Sequence, residues 1–199
     1  MSRPLPEIWL TTRDNDLLTE WKKKFSDVSG IKVVLCEDIT DVIPDCKVVV
    51  SPAQSFGVMD GGLDLAYSVY FGWDLQERLR ETIRTNYYGE LLVGQYCLVP
   101  IDENQKLLSV PTMRVPQLVA NTTNAYMAFR AVLIACIEEN LEGPVICPGL
   151  CVGVGRMSPE LCAKQMRMAW DSISKVGSGV MGLKEAVRHE LRLREPDIN

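Results

Sequence analysis

Short runs of apolar residues alternate along the chain with segments in which apolar residues recur every three or four positions. In the segment 14–25, for example, Leu17, Trp21 and Phe25 fall on one face of a helix. Short apolar runs bounded by turn residues are typical of strands. The pattern predicts strands over 7–12, 31–36, 47–50, 95–99, 107–110 and 144–147, and helices over 14–25, 63–71, 74–85, 122–139, 158–170 and 183–194. This alternation indicates a layered α/β fold.

Two details of the pattern bear on how the strands are arranged. The polar residues 102–105 separate the strands 95–99 and 107–110, so we expect these strands to form a hairpin or to lie side by side at an edge. The strand 144–147 is so short that we expect it at the centre of the sheet.

The end of the chain is set apart from the rest. The pattern predicts one domain over 1–173, followed over 174–199 by a linker, 174–181, and a charged helix. Ala186, Val187 and Leu191 lie on one side of this helix. The helix could pack on the domain, on a second copy or on another protein, and we favour the domain.

Composition excludes some functions. The chain has 199 residues, of which 47% are hydrophobic and 24% are charged, which suffices to bury the core of one domain. Its formal net charge is −5 and its pI is about 5.0, so no basic field attracts nucleic acid non-specifically. A phosphate group would therefore be held mainly by backbone N–H groups and helix ends.

The cysteines favour a reducing compartment. They are seven in number, show no Cys-x-x-Cys spacing and fall partly in apolar runs, so we expect reduced thiols and neither a disulfide framework nor a zinc site. The N-terminus lacks the apolar core of a secretory signal, and no run approaches the roughly 18 apolar residues of a membrane span. We therefore expect a soluble cytoplasmic protein that does not bind membranes.

Residues 47–64 carry the first candidate site. An apolar strand runs into a small-residue loop that holds Gln54, and the diglycine turn Gly61-Gly62 precedes the helix over 63–71. Glycine leaves backbone N–H groups unhindered, and the positive end of a helix favours an anion, so the turn indicates a phosphate site as well as a tight bend. Asp64, in the first turn of the helix, is expected to stay ionised and to orient a ribose or a water.

A second glycine-rich loop, 147–156, follows another apolar strand. Two such loops at the carboxyl ends of central strands would form the crevice in which open α/β sheets bind ligands. Their N–H groups could enclose a diphosphate, and Asp38, at a neighbouring strand end, could select a base with an exocyclic amine. Gly153-x-Gly155 before a helix also fits part of a dinucleotide fingerprint, but Ser158 stands at the third position. The absence of a Gly-x-x-x-x-Gly-Lys-Ser/Thr sequence excludes a P-loop.

With its motifs in this order, the chain resembles the macro domain family of ADP-ribose-binding modules across about residues 7–172. The family's Asp-Ile or Asp-Val pair, whose carboxylate reads the adenine amino group, corresponds to Asp38 and Ile39. The Asn-Ala-Ala-Asn loop corresponds to residues 51–54, the triple-glycine turn to residues 60–64 and the second phosphate loop to residues 151–156. The resemblance implies a three-layer α/β/α sandwich with a mixed central sheet.

The resemblance also implies catalytic positions, with departures. Enzymes of the family place an Asn and an Asp near the distal ribose to orient or activate the attacking water, and these roles fall to Gln54 and Asp64. Gln54 is longer than Asn, Cys151-Val152 replaces Ser-Thr, and the aromatic residue that covers the distal ribose is absent from 154–156. A displacement of about one ångström can cost about a hundredfold in rate, so the departures weaken catalysis more than binding.

The function implied by the resemblance is binding of ADP-ribose or a related NAD-derived nucleotide, without a cofactor or a metal. One alternative is an ADP-ribosyl hydrolase acting on a protein, a nucleic acid or an acetyl ester, so that an ADP-ribosylated macromolecule could be a partner. Another is a drifted macro-like fold that binds a different nucleotide. The candidate ligand-binding residues are Asp38, Ile39, Ala53, Gly61, Gly62, Leu63, Gly149, Leu150, Cys151, Val152, Gly153, Val154, Gly155 and Arg156.

Several of these side chains also have simpler interpretations. Cys151 could be a nucleophile activated by an anion site, but we favour a small residue packed under a phosphate. Arg156 could contact a phosphate or only cap its loop, and Phe56 could line the pocket beside the ribose. Gln54 could be an amide that only stabilises its loop. His189 is the only histidine and is expected on the surface, which excludes chemistry that needs histidines.

Overall fold

A single six-stranded sheet lies at the centre of the computed structural model, within residues 5–174 and 179–195, which the structure describes. The strand order is β2-β1-β6-β3-β5-β4, and all neighbours are parallel except the antiparallel β4–β5 hairpin. The strands are β1 Ile8–Thr12, β2 Ile31–Leu35, β3 Val48–Ser51, β4 Cys97–Pro100, β5 Lys106–Ser109 and β6 Val145–Pro148. The expected hairpin, the central position of the short last strand and the mixed sheet are confirmed.

Helices cover both faces of this sheet. They are α1 Asn15–Lys24, α2 Gly62–Phe71, α3 Asp74–Asn86, α4 Asn124–Glu138, α5 Pro159–Ser174 and α6 Leu183–Arg194, with short 3₁₀ turns at Ile39–Asp41 and Ile43–Asp45. Val48 and Val50 of β3 point into the core under α1, α4 and α5, which includes Trp21. Val49 points into the core under α2 and α3, which includes Leu79. Because successive side chains of a strand face opposite sides, this alternation builds the predicted three-layer sandwich.

The ends of the elements differ from the predicted ends by a few residues. The helix expected to open at 122 or 123 begins at Asn124, and α5 continues to Ser174, four residues beyond its expected end. Of the helices in the described part of the chain, none is long and apolar enough to cross a membrane. The seven cysteines all lie in that part and are free, and all except Cys36 are buried.

The terminal helix α6 leaves its apolar side exposed. Ala186, Val187 and Leu191 all lie on the surface. The helix instead contacts α5 through its last turn, where Leu193 is buried. Residues 175–178 of the predicted linker lie outside the described residues.

Candidate functional site

The two glycine-rich loops leave the sheet next to each other. Strands β3 and β6 pair in parallel, with Val48 opposite Val145, so the loops that follow them start from the same edge of the sheet. Helix α2, which the first loop leads into, contacts the 3₁₀ turn Ile39–Asp41 that follows Asp38. The structure therefore gathers both loops and the Asp38 segment at one edge, as expected.

Helix α2 begins with an open backbone. Gly61 is the N-cap residue with φ −147°, and no side chain caps the first turn. The first N–H groups of a helix have no partner within the helix, so those of α2 are available to an anion. A Cβ atom added at Gly61 or Gly62 would meet no atom within 4 Å. Gly62 needs glycine because its φ is +57°, whereas neither packing nor left-handed backbone explains glycine at position 61.

The glycines of the second loop divide into two kinds. A Cβ on Gly149 would lie 2.6 Å from Leu17, and one on Gly155 would lie 2.5 Å from both Val119 and the Cys151 carbonyl oxygen. These two glycines are therefore explained by packing within the chain. Gly153 is exposed, its φ lies outside the left-handed region, and a Cβ there would meet nothing within 4 Å. The fold itself gives no reason for glycine at this position.

The backbone of the second loop closes on itself. The N–H of Met157 donates to the carbonyl of Cys151 at 3.0 Å, and the N–H of Arg156 donates to the carbonyl of Gly153 at 3.2 Å. Cys151 and Arg156 both adopt positive φ, +66° and +56°, which is uncommon for residues other than glycine. The exposed guanidinium of Arg156 has no hydrogen bond or ion pair within the described ranges. It is therefore available to an anion, while its backbone closes the loop.

Cys151 has the properties of a packing residue. Its side chain is buried in the core under α1, α4 and α5, and burial raises the pKa of its thiol far above the ordinary value. Because the thiolate is the nucleophilic form, this thiol is unreactive at neutral pH. The favoured interpretation, a small residue packed under the loop, agrees with this geometry, and the nucleophile alternative does not.

Gln54 uses both ends of its carboxamide inside its own loop. Its Oε1 accepts from the N–H of Phe56 at 2.6 Å, and its Nε2 donates to the carbonyl of Val58 at 3.4 Å. The two hydrogen bonds of this side chain thus stabilise the loop between β3 and α2. This geometry favours the interpretation of Gln54 as a loop-stabilising amide over its role in catalysis.

Asp64 is buried in the first turn of α2 and is hydrogen-bonded to the end of β3. Its side chain is 9% exposed, and its Oδ1 accepts a 2.6 Å hydrogen bond from the hydroxyl of Ser51 at the end of β3. Burial raises the pKa of Asp64 to about 6, and the Ser51 hydrogen bond opposes this rise. With this pKa the carboxyl is still mostly ionised at neutral pH, although desolvation makes it a weaker acid than the helix dipole alone would predict.

Asp38 is exposed and ionised. Its Oδ1 accepts from the N–H of Thr40 at 2.9 Å and from the hydroxyl of Thr40 at 2.8 Å, and these hydrogen bonds lower its pKa. Its Oδ2 makes no hydrogen bond within the described ranges, so one carboxylate oxygen is available at the sheet edge. Ile39, which follows, is partly buried and packs against the core under α2 and α3.

The other predicted residues differ in exposure. Ala53 and Leu150 are buried in the domain, so only their backbones could reach a ligand. Leu63 and Val152 are partly buried, and Val154 is 61% exposed at the tip of the second loop. The candidate site is thus built mainly from backbone, as the acidic net charge requires.

Sequence reasoning missed the segment that backs the second loop. The N–H of Val119 donates to the carbonyl of Gly155 at 2.9 Å, which joins the connection between β5 and α4 to this loop. The preceding residue, Leu118, is 74% exposed, and Val154, which precedes Gly155 in the loop, is also exposed. No local signal marks residues 118 and 119, because their partner lies more than 30 positions away.

Phe56 and His189 both contact side chains outside the two glycine loops. The ring of Phe56 lies 5.1 Å from the guanidinium of Arg114 and lines a cavity of about 520 Å³ toward α3, away from the glycine loops. His189 is partly buried with its ring 5.3 Å from that of Tyr126, and burial lowers its pKa. Another cavity, of about 540 Å³, lies on α6. Within the described ranges, no three His, Cys, Asp or Glu side chains are grouped to hold a metal.

Comparisons with known proteins agree with this architecture. The model of the family described as macro-like domain matches residues 31–176, a range that leaves out β1, α1 and α6. No curated protein matches the chain.

Solved structures that resemble this chain include the following three. The macrodomain of Mycobacterium tuberculosis DarG is 16% identical with a TM-score of 0.54, over 64% of this chain and 83% of that one. A mutant Oceanobacillus iheyensis macrodomain solved with ADPR is 14% identical with a TM-score of 0.56, over 92% and 86%. Thermosipho africanus DarTG, in complex with ADP-ribose, is 14% identical with a TM-score of 0.52, over 81% and 49%. At these identities the likeness shows the fold alone.

Proposed function

The chain belongs to the macro-like domain family, and from this premise we propose that it binds ADP-ribose or a closely related NAD-derived nucleotide. The observation that carries the proposal is the open backbone at the sheet edge. Gly61 and Gly153 lie on adjacent loops, and a Cβ at either position would meet no atom within 4 Å. Glycine there is understandable if a ligand outside the chain approaches the backbone closely.

The diphosphate would lie between the first turn of α2 and the second loop. The uncapped N–H groups of α2 supply donors and a positive dipole end, and the free guanidinium of Arg156 supplies the nearby cation. In α5, by contrast, the Ser158 hydroxyl accepts from the N–H of Leu161 at 3.3 Å, so its first turn is already capped. We therefore assign the stronger phosphate contact to α2.

The two ends of the nucleotide would meet different surfaces. Asp38 keeps one free carboxylate oxygen, which suits the exocyclic amine of adenine, and Ile39 beside it supplies an apolar contact. At the other end, the exposed Leu118 and Val154 would cover the distal ribose in place of the missing aromatic residue. The chain's net charge of −5 supports a small nucleotide over a bare nucleic acid.

A second candidate function, removal of ADP-ribose from a macromolecule, is favoured by one observation. The pKa of Asp64, about 6, is close to the value that suits a general base at neutral pH. Two observations argue against this function. The buried carboxyl of Asp64 is hydrogen-bonded to Ser51, and both ends of the Gln54 carboxamide are hydrogen-bonded within its own loop. Incubation with a mono-ADP-ribosylated protein separates the two functions, because a reader leaves the modification in place and a hydrolase releases it unless Asp64→Asn is introduced.

Calorimetric titration with ADP-ribose tests the binding proposal. Gly153→Val places a side chain in open space, so the fold should tolerate the substitution. The same side chain should keep the ligand from approaching the backbone. We expect affinity to fall at least about tenfold, because the added group excludes the diphosphate sterically. Gly179→Val is the matched control, since Gly179 is equally unhindered and lies beyond both loops. Absence of binding by the wild-type chain at millimolar ADP-ribose would refute the proposal, as would unchanged affinity of Gly153→Val.

A further inference from the structure

The last turn of α6 is tied to the domain by its backbone as well as by packing. Leu193 is buried, and its carbonyl oxygen accepts a 2.8 Å hydrogen bond from the side-chain amide of Gln165 in α5. The guanidinium of Arg194 donates to the carbonyl of Asn121 at 3.1 Å. A helix outside the range matched by the family is therefore joined to the connection that leads into α4.

Gln165 is the centre of this junction. Its side chain is fully buried, and its amide nitrogen donates both to Leu193 and to the carbonyl of Thr122 at 2.7 Å. Its Oε1 accepts from the N–H of Tyr126 at 3.1 Å. Both donors and the acceptor of the carboxamide are thus used, so the positions of α6, α5 and the start of α4 are specified together.

The chain of contacts continues to the second glycine loop. The N–H and the hydroxyl of Thr122 donate to the carbonyl of Val119 at 3.1 Å and 2.8 Å. Val119 in turn donates to the carbonyl of Gly155 at 2.9 Å. The contact between these two residues leaves no room for a Cβ at Gly155, whose distance to Val119 would be 2.5 Å. A shift of residues 119–122 would therefore either move the loop or break its hydrogen bond to Val119.

We propose that α6 is a strap that holds residues 119–122 against Gly155 and so preorganises the second glycine loop. Gln165, Leu193 and Arg194 are positioning residues in this arrangement. The effect on ligand affinity rests on the proposed function, whereas the effect on loop order needs no ligand. An ordered loop binds more tightly because no binding free energy is used to order it.

The exposed side of α6 supplies a matched control. Val187 and Leu191 lie on the same helix but face solvent, so their loss leaves the junction intact. The test compares two double variants. One carries Leu193→Ala and Arg194→Ala, and the control carries Val187→Ala and Leu191→Ala. Arg194→Ala alone is the milder variant, because its side chain is half exposed and its removal opens no buried cavity. If the double variant unfolds, the same measurements are made on Arg194→Ala alone.

Hydrogen exchange of the ligand-free full chain is the first readout. For the Leu193/Arg194 variant we expect about tenfold faster exchange in peptides covering 116–123 and 150–158, since local opening there becomes easier. Peptides from β3 and β6 should exchange as in the wild type, as should every peptide of the control outside α6. Unchanged exchange at 150–158 would overturn the proposal, whether or not ADP-ribose binds.

Affinity is the second readout. In titrations with ADP-ribose we expect the Leu193/Arg194 variant to bind about five- to tenfold more weakly and the control to bind like the wild type. Equal loss in both variants would show that the junction is not the cause and would also overturn the proposal. If the wild type does not bind, the proposed function fails, and the exchange result still decides on the strap.

Discussion

Asp64 places a carboxyl group in the interior next to the candidate ligand site, which makes its replacement by asparagine informative. The carboxyl is buried at the first turn of α2, with the Ser51 hydroxyl donating to it at 2.6 Å. Asparagine has nearly the same shape, and its Oδ1 can accept the same hydrogen bond without carrying a charge. Asp64→Asn therefore removes the cost of a buried charge and little else.

The size of the effect follows from the pKa. Burial raises the pKa of Asp64 from 3.8 to about 6, a difference worth about 3 kcal/mol at about 1.4 kcal/mol for each pKa unit. The folded state binds this proton more tightly, so the contribution of Asp64 to the wild-type free energy of unfolding is highest below about pH 4. It falls as pH rises to about 6, and the loss is complete above about pH 7. Because the asparagine N–H₂ must also be desolvated, we expect a gain of about 1 to 3 kcal/mol at pH 8.

Urea unfolding followed by circular dichroism at pH 5, 6, 7 and 8 measures this directly. The gain of Asp64→Asn over wild type should grow from pH 5 to pH 7 and then stay level. Asp60→Asn is the matched control, because Asp60 is exposed just before the diglycine turn, and its effect should stay within about 0.5 kcal/mol. If Asp64→Asn is no more stable than wild type at pH 8, or if its gain does not vary with pH, desolvation does not govern this residue.

The remaining predictions concern the glycines and the base contact. Gly155→Ala should lower the free energy of unfolding by about 2 kcal/mol or more, because its Cβ would lie 2.5 Å from Val119 and the Cys151 carbonyl oxygen. Gly61→Ala should change the free energy of unfolding by less than about 0.5 kcal/mol, because its Cβ would meet no atom within 4 Å. Chemical denaturation checks both, and equal losses would contradict the division of the glycines. Asp38→Ala should weaken ADP-ribose about tenfold but leave ribose 5-phosphate unaffected, since only the former carries adenine. Calorimetry with the two ligands measures both affinities. Equal weakening of both would show that Asp38 does not contact the base.

The architecture was accessible from the sequence because it depends on local patterns. Alternation of apolar strands with amphipathic helices predicted the layers, and the polar residues 102–105 predicted the hairpin that the β4–β5 pair confirms. The position of both loops and Asp38 at one edge of the sheet also follows from that pattern, because the carboxyl ends of parallel strands lie at the same edge.

The details of the site depend on contacts that have no local signal. Asp64 was expected to be an ionised residue at a helix start, but burial raises its pKa, and its hydrogen-bond partner is Ser51, 13 positions earlier. Gly149 and Gly155 looked like ligand glycines, yet their nearest neighbours include Leu17 and Val119 from distant segments.

The orientation of α6 shows the same limit. Its apolar stripe, which includes Val187 and Leu191, is exposed and does not indicate how the helix packs. The decisive group is the buried carboxamide of Gln165, which captures the carbonyl of Leu193. Polar junctions of this kind depend on tertiary placement, which hydrophobic periodicity does not describe.

The central claim, that a nucleotide diphosphate lies between the two glycine loops, is tested most directly by amide NMR of the ¹⁵N-labelled chain during titration with ADP-ribose. If the diphosphate lies there, the amide signals of residues 61–63 and 153–155 should shift together and saturate, while the signal of Gly179 stays in place. Signals that do not move at these residues, or that move only around the cavity beside Phe56 and α3, would contradict the central claim.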